Sequence, residues 1–391
     1  MEIYRHSLIF GLSYALDIAG KNNLSHSKNT AYLSVMIGRE LGLDADTILN
    51  LNYAALLHDI GMSDTYEITQ GSAEEMKNHC VNGEKLLKDL PLPESIAKSV
   101  YYHHENYDGS GIFGLKGSAI PESAQIICFS STFDDIFGKI SGEFDLNIYT
   151  SVQKWIDKNS STFSREITNA FENLILREHF LLDYFNIETK YVLSEKLVDG
   201  DDDCYGYDDI VKYAHCFAGI IDCRSPFTFT HSHGIAELAL KATTYLGYDK
   251  ETQDKMYIAG LLHDVGKLHV LPEILHKDGA LTPEERFEIN KHTYYTRKIL
   301  EEIEGFEDIV EYAANHHEKL DGTGYPYHLD GSQMGELEKI MAICDVYQAL
   351  TEERPYREKL SAEKAWSIVT NLGEKQHLDK TLAAKIQKVF L

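Results

Sequence analysis

His316 and His317 stand side by side, and Glu318-Lys319-Leu320-Asp321-Gly322-Thr323-Gly324-Tyr325-Pro326 follows them directly. Adjacent imidazoles are good ligands for divalent transition metals. The two glycines permit positive φ and close backbone approach, and the proline fixes the exit direction, so the segment cannot be regular helix. It reads as a shaped loop beside a metal, although taken alone it reads equally well as a surface loop with a chance histidine pair.

Other residues of the C-terminal half fit the first reading: His231, His263, Asp264, His292 and Asp345. Imidazole with carboxylate suits borderline divalent ions such as iron, manganese, zinc or nickel. If the seven side chains converge, His263 binds one ion while Asp264 bridges two through its two oxygens. Two ions about 3.5–4 Å apart clamp both oxygens of an in-line phosphoryl displacement, which is phosphodiesterase chemistry. Any one of these histidines is more often a satisfied core or surface residue; the set in fixed order is what carries weight.

That order occurs twice. His26, His58-Asp59, His79 and His103-His104-Glu105 precede His231, His263-Asp264, His292 and His316-His317-Glu318. The offset is 205 residues for the first two elements and 213 for the next two, so the second copy holds eight extra residues between its His-Asp pair and its third histidine. An internal repeat of this kind sets the architecture before any local reading does.

Both copies read as helical. Ile48 to His58 and Met256 to His263 carry apolar residues at three- and four-residue spacing, as helices with one buried face do. Thr282-Pro283-Glu284-Glu285 is a helix start with a capping box, which puts His292 well inside that helix. No period-2 strand pattern occurs, so the fold class is all-α: two tandem helical bundles. The domains expected are 1–180, a linker at 181–207, and 208–391. The acidic run around Asp199-Gly200-Asp201-Asp202-Asp203 reads as a solvated linker; a calcium loop lacks the glutamate at its twelfth position.

The chain of 391 residues carries a net charge of -25. That argues against a nucleic-acid polymer or an anionic membrane as partner, because both need a basic face. A small anionic ligand stays compatible if metals and a few cations reverse the potential locally. The six cysteines form no C-x-x-C pair and read as reduced thiols. Met1 to Asn22 reads as an amphipathic helix without signal-peptide features, and a cytoplasmic location is expected.

His263-Asp264 with Gly266-Lys267, His292, the full His316-to-Pro326 signature and Asp345 in Ile343-Cys344-Asp345-Val346-Tyr347 together resemble the HD-GYP family. These are all-α cyclic dinucleotide phosphodiesterases within the HD superfamily of metal-dependent phosphohydrolases. The resemblance spans about Asp222 to Arg357. It implies that His231, His263, Asp264, His292, His316, His317 and Asp345 are metal ligands. It also implies that Lys267 meets a phosphate or developing negative charge and that Arg354 and Arg357 hold substrate phosphates. Tyr325 stacks on a base or packs under its own loop. Some members carry a further ligand where Phe227 stands here, so two ions are expected and not three.

The first copy resembles a degenerate version. Ser131 replaces the last carboxylate, Met62 replaces Lys267, and Gly111-Ile112-Phe113 replaces Gly324-Tyr325-Pro326. Asp134 and Asp135 lie about one helical turn beyond Ser131. The first copy is expected to be catalytically silent, holding at most one or two metals weakly, with a regulatory or structural role. The function expected is metal-dependent hydrolysis of cyclic di-GMP or 3'3'-cyclic GMP-AMP to the linear dinucleotide, with mononucleotides as a later product. The alternatives are a nucleotidohydrolase of the wider superfamily and a non-hydrolytic receptor. The sequence leaves a homodimer open.

Overall fold

The computed structural model describes residues 1–20, 25–62, 72–138, 147–185, 203–224, 228–353 and 359–391. The fold is all-α as expected: among the described residues the only strands are Ile3–Tyr4 and Cys204–Tyr205, two residues each and paired antiparallel. No described helix is long and apolar enough to cross a membrane. The cysteines described, Cys80, Cys128, Cys204, Cys216 and Cys344, are free thiols.

Two compact units are present, Leu12–Asp203 and Cys204–Leu391 with Met1–Gly11. The cut at Asp203 falls inside the stretch expected to be linker. The first eleven residues differ from expectation, because they group with the C-terminal unit and not with the N-terminal copy. Ile3 pairs with Tyr205 there, and the Ser7 hydroxyl accepts the Glu304 N–H at 2.7 Å. The run Asp199 to Asp202 lies outside the described residues, as do Phe227, Arg354 and Arg357.

Each unit follows one plan. In the N-terminal unit, helix His26–Glu40 packs on Ala45–Leu56 and on Glu122–Phe137, while Ala73–Lys88 packs on Glu94–Tyr102. In the C-terminal unit, Thr228–Leu246 packs on Lys250–Leu262 and on Glu336–Thr351, and His292–Leu300 packs on Glu307–Ala314. Even the caps repeat. Asp44 accepts the Thr47 N–H and Asp249 that of Thr252, and capping boxes form at Ser72/Glu75 and Thr282/Glu285. Each satisfies donors that a helix start leaves without intrahelical partners.

Three local expectations change. Helix Pro283–Asn290 starts at Thr282 as read but stops before Lys291, and His292 opens a separate helix, His292–Leu300. The Ile289 carbonyl receives the His292 Nδ1–H at 2.7 Å and the Lys291 N–H, so it is not left for a continuous α-helical ladder. Helix Arg5–Gly20 is not amphipathic: Leu8, Leu12 and Leu16 are buried, and so are Ser13 and Asp17. The N-terminal copy also runs past Phe180, through helix Glu178–Phe185 with buried Phe180, Leu181 and Tyr184.

Candidate metal centre

The seven side chains singled out in the C-terminal half do come together. They form two triads, His231/His263/Asp264 and His292/His316/His317, in each of which the donor atoms lie within 4.8 Å of one another. Asp264 joins the triads: its Oδ2 is 3.1 Å from His263 Nε2, and its Oδ1 is 3.3 Å from His292 Nε2 and 3.9 Å from His316 Nε2. Asp345, from helix Glu336–Thr351, completes the ring. Its Oδ1 is 3.4 Å from His231 Nε2 and its Oδ2 is 3.6 Å from His317 Nδ1.

Local backbone chemistry aims these rings. His263, His292 and His316 each donate Nδ1–H to the carbonyl three residues earlier, at Gly260 (2.8 Å), Ile289 (2.7 Å) and Ala313 (2.6 Å). Such a bond fixes the tautomer and leaves the Nε2 lone pair facing inward. The close approach of two backbones sets the separation. A Cβ on Gly266 would lie 1.9 Å from the His292 carbonyl oxygen, so only glycine lets the His263-Asp264 segment meet helix His292–Leu300. Thr296 rivets that contact, donating to the His263 carbonyl at 2.9 Å and accepting the Gly266 N–H at 3.0 Å.

The electrostatics suit a cation. Burial pushes His292 down to about 3, and burial with the neighbouring His317 holds His316 well below the ordinary imidazole range. Both therefore present neutral rings at physiological pH. Burial opposes ionisation of Asp264, yet His263 and Lys267 keep its carboxyl well below the usual carboxylate range. Burial likewise opposes protonation of His231, but Asp345 and Glu352 hold it up at about 9. A cation at His231 therefore displaces a proton. His263 Nε2 and Asp264 Oδ1 are buried atoms with no hydrogen-bond partner. Orphaned donors and acceptors of this kind carry a large desolvation cost unless something occupies them. The donor set of imidazoles and shared carboxylates fits divalent transition metals.

Lys267 lies on the 3₁₀ turn Val265–His269, with its Nζ 2.5 Å from Asp264 Oδ2, so the ammonium is at the centre of the site. Tyr325 packs against a ligand: its ring centroid is 4.9 Å from that of His317.

Two residues without an assigned role turn out to support the site. Glu352 is 3.0 Å from His231 Nδ1, on the side away from Asp345. It stands seven residues after Asp345, a spacing that keeps both on one helix face and was a readable signal. Buried Glu318 accepts the Tyr327 N–H at 2.7 Å and the Leu329 N–H at 3.0 Å, pinning the loop that carries Tyr325. Its signal was the repeat itself, since Glu105 accepts the Phe113 and Leu115 N–H groups in the same way.

The N-terminal copy keeps both triads, His26/His58/Asp59 and His79/His103/His104. Ser131 occupies the place of Asp345, with Oγ 3.4 Å from His26 Nε2. Asp134 does not replace the lost ligand. Its Oδ2 meets His26 Nδ1 at 2.7 Å, the position Glu352 takes on His231, and its Oδ1 accepts from Asn29 and from the Tyr184 hydroxyl. Burial opposes protonation of His26, but Asp134 and Asp59 raise it to about 10. Met62, buried, holds the position of Lys267.

The chain is similar to known proteins along much of its length. The chain is 30% identical to the 3'3'-cGAMP-specific phosphodiesterase 1 of Vibrio cholerae over 385 residues, covering 92% of this chain and 86% of the relative. It is 32% identical over 161 residues to a cyclic di-GMP phosphodiesterase of Pseudomonas aeruginosa, covering 40% of this chain and 38% of that protein. The crystal structure of a cyclic GMP-AMP-specific phosphodiesterase of Vibrio cholerae superposes with a TM-score of 0.74 at 22% identity, covering 100% of this chain and 98% of the other, a likeness of fold. The HD-domain profile matches residues 15–158 and again 215–382, and those spans hold both sets of paired triads, so the chain belongs to the HD-domain family with two copies in tandem.

Proposed function

We propose that the C-terminal copy is a metal-dependent phosphodiesterase that opens a cyclic dinucleotide, cyclic di-GMP or 3'3'-cyclic GMP-AMP, to its linear form. The observation that carries this reading is Asp264, one oxygen on each triad. A carboxylate so placed is suited to hold two cations together. The relatives' named activities support the same reaction class.

Two divalent ions, of iron, manganese, nickel or zinc, are assigned to the site. His231, His263 and Asp345 would hold one, and His292, His316 and His317 the other, with Asp264 between the two groups. When bound, such a pair supplies positive charge at phosphorus and makes water more acidic. The remaining chemistry belongs to the chain. Neutral His292 and His316 keep their lone pairs for binding. Lys267, beside Asp264, neutralises charge that develops on the phosphoryl oxygens. Tyr325, packed on His317, keeps that ring in place. Hydrolysis adds water at phosphorus, breaks one phosphoester bond and protonates the departing alcohol, which opens the ring.

The test is to incubate the purified protein with Mn(II) or Fe(II) and each nucleotide separately: cyclic di-GMP, 3'3'-cyclic GMP-AMP and a nucleoside polyphosphate. Products are followed by chromatography. Linear dinucleotide is expected from a cyclic substrate, with mononucleotides trailing it if the product re-enters the site, and no turnover of the polyphosphate. Binding without products by metal-loaded protein, lost in His263→Ala, replaces the enzyme reading with a receptor.

A further inference from the structure

The N-terminal copy lacks the last carboxylate but keeps much of its donor geometry, and the missing carboxylate belongs to one half. On one side, Ser131 leaves His26, His58 and Asp59 without the fourth ligand. His26 Nε2 has closed to 3.2 Å from His58 Nε2, with the other His26 nitrogen engaged by Asp134.

The other half keeps its inward-facing donor distances, although His79 Nδ1 is buried without the carbonyl partner that His292 Nδ1 has. His79 Nε2 is 3.3 Å from His103 Nε2, the distance between His292 and His316 in the C-terminal copy. His79 Nε2 is 3.4 Å from Asp59 Oδ1, against 3.3 Å for His292 and Asp264. His103 donates Nδ1–H to the Val100 carbonyl, as His316 does to Ala313. His79 and His103 are buried, and His104 Nε2 is a buried nitrogen with no hydrogen-bond partner. Three imidazoles and one carboxylate oxygen form a complete four-donor set for a transition metal.

We infer that the N-terminal copy binds a single divalent transition metal at His79, His103, His104 and Asp59, as a structural site that ties three separate chain segments together. The segments are the turn after helix Ala45–Leu56, helix Ala73–Lys88 and the turn after helix Glu94–Tyr102. Because metal binding is linked to folding, occupancy of such a site stabilises the unit that carries it. With Met62 and Ser131 in place of the cation and the last carboxylate, it turns nothing over.

The test counts metal in the full chain and needs no substrate. Protein is loaded with Co(II), freed of excess and analysed for cobalt. His79→Ala with His103→Ala is expected to lower the count by about one ion per chain relative to wild type, whereas His26→Ala leaves it unchanged. The drop is the readout, so it stands whatever the C-terminal copy does. In a chain emptied at the C-terminal site by His263→Ala, His292→Ala and Asp345→Ala, about one Co(II) is expected to remain, with a visible d–d absorption band. Adding Ser131→Asp to that chain is expected to raise the count toward two. An emptied chain that keeps its helical circular dichroism yet holds no cobalt overturns the inference. So does a count that falls with His26→Ala and not with the His79/His103 pair.

Discussion

His231 Nε2 lies 3.4 Å from Asp345 Oδ1, and the two copies differ at this contact. Its N-terminal counterpart keeps the separation at 3.4 Å, but the partner is the hydroxyl of Ser131. A neutral hydroxyl contributes no charge to a cation and is a far weaker ligand than carboxylate. The two copies therefore share their helix plan and differ at this position by a carboxylate and at the position of Lys267 by an ammonium.

Asp345→Ser in the C-terminal copy is expected to reproduce the silent state, with bound metal falling by about one ion per chain and turnover lost. Glu352→Gln is expected to be milder. It keeps a hydrogen-bonding group near His231 Nδ1 while removing its charge, and loss of such supporting groups costs about 10–100-fold in metal affinity or activity. Activity measured against metal concentration separates them: excess metal restores Glu352→Gln and leaves Asp345→Ser inactive. Full activity of Asp345→Ser would remove Asp345 from the site.

Lys267→Met copies the residue of the silent copy at a position 2.5 Å from Asp264. Removing a preorganised group that meets transition-state charge costs about 10²–10³ in kcat. Metal affinity is not expected to weaken, because the ammonium and a metal ion compete for the same carboxylate. Single-turnover rates on metal-saturated protein provide the check. Unchanged kcat in Lys267→Met would show that the ammonium serves Asp264 alone.

The candidate donor cluster was legible because residue type and order are repeated: histidines and aspartates stand in the same sequence twice. What supports the ligands was not. The carbonyls of Gly260, Ile289 and Ala313 have no residue-type signature, since every residue has a carbonyl. Helix Pro283–Asn290 was readable from its capping box, but its stop at Lys291 follows from the bonds converging on the Ile289 carbonyl, a matter of geometry. The departure of the first eleven residues from the repeat depends on the pairing of Ile3 with Tyr205, distant in sequence and only two residues long. Short pairings leave no periodic pattern to find.

Gly266→Ala tests whether backbone proximity sets the metal centre. The new Cβ would lie 1.9 Å from the His292 carbonyl oxygen and 2.4 Å from the Thr296 nitrogen, both backbone atoms with no rotamer to escape into. Overpacking of this sort costs about 1–3 kcal/mol, and here the displacement moves a ligand. Lower thermal stability and lower metal content are expected together. Gly206→Ala, where nothing lies within 4 Å, is the control and should melt like wild type. Full metal content in Gly266→Ala would show that the ligands tolerate the shift.

Asp17 gives the N-terminal unit a pH dependence of its own. Burial raises its carboxyl to about 6 even though the Ser27 N–H donates to Oδ1 at 2.9 Å, and Oδ2 is buried without a partner. The folded state therefore binds this proton more tightly than the unfolded chain. Stability from Asp17 is fully present below about pH 4 and is lost as pH rises through about 6. Asp17→Asn keeps an oxygen for the Ser27 N–H and removes the titration. The variant is expected to be more stable than wild type at pH 8, by up to about 2–3 kcal/mol for a shift of this size, and the difference should close toward pH 4. Thermal melts of both proteins across that range decide it: a gap that is constant with pH would mean that Asp17 does not titrate in the folded unit.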